Sequence, residues 1–511
     1  MKRGAVYLVG AGPGDPELLT LKAKRLLSEA DWIIYDYLVN PEHLRHASAA
    51  CRSLCVGKGF RHKKLSQRRI NALILREAKR GHLVVRLKGG DPYLFGRGGE
   101  EALFLKKHRI YFEVVPGVTS ATAVANYAGI PLTHREHNAS VTLLTGHRAG
   151  DDSLDGIDWK RIATMPGTLV IYMGLFNLEM IAKRLIRFGM NGRTPVAVIE
   201  WGTLPRQRKV AGPLEGIARS VRRARLEAPC LVVIGDVVSL HDRLNWFEHL
   251  PLFGRTVWVT RMKEKAGVLS EKLRRLGAAV EEIPMIRVRP PRSWREMDRA
   301  IERLGVYEWL VFTSAYGIDA FFGRLTRDHG KDVRLLKDLR IACVGSESAS
   351  RLSAYGLRAD AVPAEFKARA LPVEMVRRYG SLRGSRVLLA QGRLAPDDLR
   401  SDLEKCGAVV TRVEAYDTIQ DPAGKERLRR PGLLAPDAVV LTSSSAATAL
   451  IEALGPARAR ALSRRSFFAS IGPSTTGTLK ARGVRSREAA KHDLDGVVEL
   501  LKKAFAAKRR S

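Results

Sequence analysis

Short apolar runs recur through the first half of the chain: "AVYLVGA", "WIIYD", "HLVVRLKG", "YFEVVPG", "SVTLLTG", "GTLVIYMG", "PVAVIEWG" and "PCLVVIGDV". Segments of helical period, such as "EALFLKKH" and "LEMIAKRLIRFG", lie between some of them. This alternation predicts α/β layering. The pattern breaks at "FEHLPLFGR", residues 247–255, and restarts with "TVWVTR". The second half then echoes itself. "VFTSAYGIDAFFGRL" resembles "VLTSSSAATALIEAL", and "IACVGSESASRLSAYGL" resembles "FASIGPSTTGTLKARGV". Each is a strand, a Ser- or Gly-containing turn and a helix, so two similar α/β lobes are predicted there. The first half shows no such duplication, and the chain reads as three- or four-lobed.

Two glycine-rich stretches follow predicted strands, "GAGPGDP" and "KGGDP". The first fails the dinucleotide fingerprint, because Asp15 stands where the third glycine belongs, and it lacks the Gly-Lys-Ser/Thr of a phosphate loop. In the second, Gly89 and Gly90 expose backbone amides, Asp91 adds a carboxylate and Pro92 stiffens the turn. Such loops suit a ligand with amino-acid and nucleoside ends better than a pyrophosphate.

Composition narrows the partners. The chain has 511 residues and a formal net charge of +34. That charge favours anionic partners: nucleic acid, a membrane surface or a polyanionic small molecule. The basic clusters ("RHKK", "RSVRRAR", "KKAFAAKRR") lie beside no aromatic pattern suited to base stacking, so no specific nucleic acid is expected. A basic RNA-binding methyltransferase stays as the rival reading. No apolar run approaches the ~20 residues of a membrane span, and a cytoplasmic protein is expected. Five cysteines, widely spaced apart from "CRSLC", predict neither a metal site nor a disulfide.

The motifs "VGAGPGDPELLTLKA", "YDYLV", "VGK", "VVRLKGGDPYLFGRGGEE", "VVPGVTSATA", "AGIPLTHR", "TLVIYMG" and "TPVAVIEWGT" occur in one order. Through them residues 1–250 resemble the uroporphyrinogen-III C-methyltransferases. In the second half "FTS", "EAYDT", "LTSSSA" and "IGPSTTGTL" make residues 255–505 similar to the uroporphyrinogen-III synthases. The resemblance implies a two-lobed tetrapyrrole methyltransferase fold followed by a two-lobed α/β uroporphyrinogen-III synthase fold. It also implies S-adenosyl-L-methionine as methyl donor, no cofactor for the synthase half, polyanionic tetrapyrrole substrates and a homodimer formed through the first half.

Carried over by motif, the cofactor residues are Pro13, Gly89, Gly90, Asp91, Leu94, Thr119, Ser120, Met173 and Gly202. Asp36 matches the family's proton acceptor, Lys58 its proton donor, and Tyr416 the synthase's general acid. Two departures stand out. Tyr37 follows Asp36 where many relatives have arginine. After Lys58 the chain reads "GFRHKKLSQ", so His62 is expected in the family's histidine role, and Arg61, Lys63 and Lys64 are expected near substrate carboxylates. A methyltransferase with a degenerate second half is the alternative within this reading.

Overall fold

The computed structural model describes residues 4–57, 65–146, 154–364 and 368–506. Contacts divide the chain into two compact units. One is Met1–Val257 with Glu271–Val280 and Leu501–Ser511; the other is Trp258–Ser270 with Glu281–Leu500.

The first sheet contains β1 (Ala5–Gly10), β2 (Trp32–Tyr35), β3 (Arg52–Cys55), β4 (Leu83–Lys88) and β5 (Tyr111–Val115). Its order is β3-β2-β4-β1-β5, with every pair parallel. Apolar side chains pack on both faces: Val9, Leu27, Ile33 and Val85 on one, Val6, Leu8, Ile34 and Val84 on the other. Burial on both sides is why its inner strands read as near-continuous apolar runs. From β1 the chain crosses toward β2, and from β4 toward β5. The two central strands therefore part their connections to opposite sides, opening a crevice at their carboxyl ends.

The second sheet contains β6 (Val141–Thr145), β7 (Thr168–Tyr172), β8 (Pro195–Glu200), β9 (Arg208–Pro213) and β10 (Cys230–Ile234), in the order β6-β7-β10-β8-β9. Only its β6–β7 pair is parallel. The predicted strand "PCLVVIGDV" stops at Ile234, and Asp236–Leu240 turns into a 3-10 helix. The break at 247–255 is packed rather than extended. Phe247 is buried, and its ring lies 4.7 Å from Tyr127 and 5.2 Å from Phe253.

The remaining strands are β11 (Thr256–Val259), β12 (Ala279–Glu282), β13 (Ile286–Arg289), β14 (Trp309–Phe312), β15 (Arg340–Cys343), β16 (Arg386–Gly392), β17 (Val409–Gln420), β18 (Ala438–Leu441), β19 (Phe467–Ser470) and β20 (Arg487–Glu488). They form two sheets, ordered β12-β11-β18-β19-β20 and β13-β17-β16-β14-β15. The sequence echo is visible in the backbone. Ser314 after β14 and Ser443 after β18 have nearly the same extended dihedrals. Each caps the following helix by accepting from the N–H three residues on, Gly317 at 3.1 Å and Ala446 at 3.2 Å.

Three glycines close the carboxyl ends of β1, β4 and β5. A Cβ on Gly117 would lie 2.3 Å from the Gly90 carbonyl oxygen and 2.7 Å from the Gly10 Cα. Gly117→Ala is therefore expected to lower unfolding stability by about 2 kcal/mol or more through overpacking. Urea titration of the variant checks this. An unchanged midpoint would mean that the strand ends separate at no cost.

Candidate active sites at the strand ends

In the first unit the two glycine loops meet. Gly12 N–H donates to the Gly90 carbonyl at 3.3 Å and Gly90 N–H to the Gly12 carbonyl at 2.7 Å, an isolated antiparallel bridge. Both residues have positive φ, +74° and +66°, which glycine adopts without a Cβ penalty. Pro13 follows the bridge in the first loop and Leu94 sits in the second. The Asp91 carboxylate holds its own loop. It accepts from the N–H groups of Tyr93 at 2.8 Å, Leu94 at 3.2 Å and Gly117 at 3.1 Å. Asp91 thus ties the loop to the end of β5.

Of the other cofactor candidates in the first unit, Ser120 adjoins this bridge. Gly90 lies against Ser120, whose backbone nitrogen and Oγ are 4.0 Å from where a Gly90 Cβ would stand. Thr119 precedes the helix Ser120–Tyr127, but its hydroxyl does not cap that helix. It hydrogen-bonds Tyr172 Oη at 2.5 Å, and Ala121 N–H donates to the same phenol at 2.9 Å. Burial raises the Tyr172 phenol above its ordinary value. The next residue, Met173, is half-exposed with φ of +56°. Gly202 follows β8 and packs against the helix Ser120–Tyr127; a Cβ there would be 2.3 Å from Val124 Cγ1. The first loop is also tied to the second lobe. Asp15 N–H donates to Thr203 Oγ1 at 3.0 Å, and Tyr127 Oη donates to the Asp15 carboxylate at 2.7 Å.

Asp36 ends β2, and its N–H donates to the Leu87 carbonyl of β4. Its carboxylate accepts from Arg86 Nη2 at 2.5 Å. Arg86, Lys88 and Glu101, all buried near it, escaped the sequence reading. The only available signal was a pair of cations two residues apart inside an apolar strand. Lys58, with Arg61, His62, Lys63 and Lys64, lies outside the described residues. Exposed apolar side chains gather on the same strand-end loops: Tyr37 and Leu38 after β2, Tyr93 and Phe95 after β4, Met173 after β7.

In the second unit Tyr416 lies on β17 opposite Gly392, where the β16–β17 register shifts. A Cβ on Gly392 would be 2.7 Å from Tyr416 Cε2, so only glycine leaves room for the ring. Burial pushes the Tyr416 phenol above its ordinary value, against a hydrogen bond with Ser314 that lowers it. The phenol stays protonated at neutral pH. Its ring is 5.9 Å from Tyr316, over which Lys265 Nζ stands at 4.6 Å. Asp417 is fully buried between Arg289 and Arg393, at 2.9 Å from each. Arg393 N–H also donates to the Tyr416 carbonyl. The arginines and Lys265 were likewise missed by the sequence reading.

Among the described residues one cluster, His134, Glu136 and His137, can offer three metal-ligand atoms within 4.8 Å of one another. Glu136 N–H already donates to His134 Nδ1 at 3.2 Å, so that nitrogen is occupied. No helix among the described residues is long and apolar enough to cross a membrane.

Residues 5–218 match the family of tetrapyrrole (corrin/porphyrin) methylases, and residues 267–499 match that of uroporphyrinogen-III synthase HemD. The porphyrin biosynthesis protein HemD of Ruminiclostridium josui is 38% identical over 418 residues, 82% of this chain and 82% of that one. The S-adenosyl-L-methionine-dependent uroporphyrinogen III methyltransferase of Methanosarcina barkeri is 50% identical over 242 residues, 47% of this chain and 95% of that one. The crystal structure of uroporphyrin-III C-methyl transferase from Thermus thermophilus complexed with S-adenyl homocysteine shares 44% identity. It covers 46% of this chain and 99% of that chain, with a TM-score of 0.41.

Tyr172→Phe removes the one phenol that joins Thr119 to the helix N-terminus. It is expected to lower unfolding stability by about 1–2 kcal/mol, because the Ala121 N–H loses its partner. Denaturant unfolding checks this, and no change would mean that water replaces the phenol.

Proposed function

The chain belongs to the family that fuses a tetrapyrrole methylase to a uroporphyrinogen-III synthase, and on that premise we propose that it runs two consecutive steps of tetrapyrrole synthesis. Residues 255–505 close hydroxymethylbilane to uroporphyrinogen III with loss of water. Residues 1–250 then methylate that product twice, to precorrin-2. The observation that carries the methyltransferase reading is the paired glycine loops at the β1–β4 crevice, with the Asp36 carboxylate at the end of the adjacent strand.

S-adenosyl-L-methionine, when bound, supplies an electrophilic methyl group on a good leaving group. Pro13, Gly89, Gly90, Asp91, Leu94, Thr119, Ser120, Met173 and Gly202 are assigned to hold it. They fit such a ligand. A Cβ on Gly89 would meet only the Leu38 Cβ, at 3.6 Å, so the loop leaves open space there. Exposed hydroxyl, amide and thioether groups suit its amino-acid and adenosine parts, and no pyrophosphate cradle is needed. The protein's own work is alignment and proton removal. As a pyrrole carbon forms its bond to the methyl group and the methyl–sulfur bond breaks, the ring becomes cationic and loses a proton, which Asp36 accepts. Lys58 is assigned as proton donor. The exposed apolar rim of Tyr37, Leu38, Tyr93 and Phe95 offers a surface for the flat face of a macrocycle, while the chain's excess positive charge favours capture of its carboxylates.

In the second half the bilane's hydroxyl leaves as water with a proton from Tyr416, and the terminal ring closes in inverted sense. The raised phenol keeps that proton available at neutral pH. Lys265, which is ion-paired with Glu347, and the positive ends of the echoed helices are the groups assigned to the carboxylates. A homodimer formed through the first half is the expected assembly.

Asp36→Asn in the full chain is expected to cut methylation of supplied uroporphyrinogen III by ~10²-fold or more, the usual loss for a general base, with S-adenosylhomocysteine binding retained. Unchanged turnover at saturating substrate excludes the role.

Tyr416→Phe is expected to slow closure of hydroxymethylbilane by roughly 10–10²-fold, raise the share of isomer I that forms spontaneously, and leave methylation unaltered. Chromatography of the oxidised products reads the isomer ratio. A parent chain that yields only isomer I would show that the second half is not a working synthase.

A further inference from the structure

Beneath Asp36 the first unit buries more charge than the chemistry above uses. Arg86 and Lys88 sit on one face of β4 at 2% and 3% exposure, and Glu101 sits on the helix Gly98–Lys107 at 1%. Arg86 bridges the two carboxylates, with Nη2 2.5 Å from Asp36 Oδ1 and Nε 3.0 Å from Glu101 Oε1. Lys88 Nζ repeats the bridge, 3.7 Å from Asp36 Oδ2 and 3.2 Å from Glu101 Oε2. Gln67, from the helix Gln67–Lys79, donates to Glu101 Oε1 at 2.9 Å. Arg86 Nη1 donates to the carbonyls of Ile34 and Leu87. Two cations thus face two carboxylates, and only the Asp36 side chain, 31% exposed, reaches the surface.

Buried charges are costly unless paired and hydrogen-bonded, and an apolar layer of the same volume is often at least as stable. A stability role alone is therefore a weak reason for this arrangement. We infer that Arg86, Lys88 and Glu101 are positioning residues that hold the Asp36 carboxylate in place and set its affinity for a proton. The inference rests on Asp36 being the base proposed above. The sign of each contribution follows from charge. Arg86 and Lys88 each favour the ionised carboxylate and make it a weaker base. Glu101 neutralises part of that field from below and restores basicity. Among the described residues, the other charged groups near this cluster are Arg97, which precedes the helix Gly98–Lys107, and Glu100 on it, and they pair with each other at 2.7 Å. Tyr37 adjoins Asp36 in the chain, and Lys58 lies outside the described residues.

The test is the pH profile of kcat/KM for methylation of uroporphyrinogen III by the full-length protein, with S-adenosylhomocysteine binding as the check on folding. The acid limb reports protonation of the base and should vanish in Asp36→Asn. Arg86→Gln is expected to move that limb to higher pH and Glu101→Gln to lower pH, each by on the order of one unit for a unit charge at these distances. The double variant, which removes one charge of each sign, is expected to return close to the parent. A purely structural role would reduce activity in both single variants without moving the limb in opposite directions. If Arg86→Gln does not bind S-adenosylhomocysteine, Lys88→Gln removes a charge of the same sign and carries the same expectation. Limbs that stay in place, or move together, overturn the inference. Asp36→Asn with full turnover overturns the underlying assignment of the base instead, so the two failures are distinguishable.

Discussion

The near-touch of three strand ends sets the first unit's site. Gly10, Gly90 and Gly117 bring the backbones of β1, β4 and β5 so close that a Cβ on Gly10 would lie 2.5 Å from the Gly117 nitrogen and one on Gly117 2.3 Å from the Gly90 oxygen. Only residues without side chains permit that approach. The Gly12–Gly90 bridge follows, because the two loops then leave adjacent strands at hydrogen-bonding distance. Asp91 reinforces it with three backbone N–H groups that would otherwise be left facing a crevice. The loops are tied to each other and to β5 by these hydrogen bonds, and pre-organisation of this kind reduces the entropic cost of binding.

The two units give the proposed acid–base groups opposite environments. Asp36 sits at the mouth of a buried ionic layer, where Arg86, Lys88 and Glu101 surround it with compensating charge. Tyr416 is packed against Gly392 and Tyr316, and burial makes its phenol a weaker acid. A carboxylate that must accept a proton needs its ionised form stabilised; a phenol that must donate one needs its neutral form kept. Desolvation supplies the second condition directly and would oppose the first, so the first requires paired cations. Asp417, locked between Arg289 and Arg393 immediately after Tyr416, holds β17 in the register that places the ring.

Much of this was legible from residue order. Strands buried on both faces gave apolar runs, the internal echo gave the repeated strand–cap–helix unit, and the glycine loops and family motifs pointed to the cofactor candidates. Edge strands were not legible. β3, "RSLC", is exposed along its length, and β9, "RKVAGP", has no fully buried residue. At a sheet edge, pairing through the backbone on one side is enough, and no apolar periodicity is demanded. The aromatic packing of Phe247 was hidden for a related reason: proline and glycine around it mark a turn without saying what the turn packs against.

By itself the sequence determined what is local: the inner strands and the turn and helix after them, and where glycine permits positive φ. Those properties depend on neighbours a few positions away. What only the tertiary structure decided is which distant groups meet. The Gly12–Gly90 bridge, the Thr119–Tyr172 hydrogen bond and the layer joining Asp36, Arg86, Lys88 and Glu101 are set by sheet order and strand register. Read along the chain, Arg86 and Lys88 are merely charges near a strand end. Their pairing with Asp36 and Glu101 arises because β4 lies beside β2 and is covered by the helix Gly98–Lys107, and among the described residues the buried cations meet the two carboxylates and nearby carbonyls.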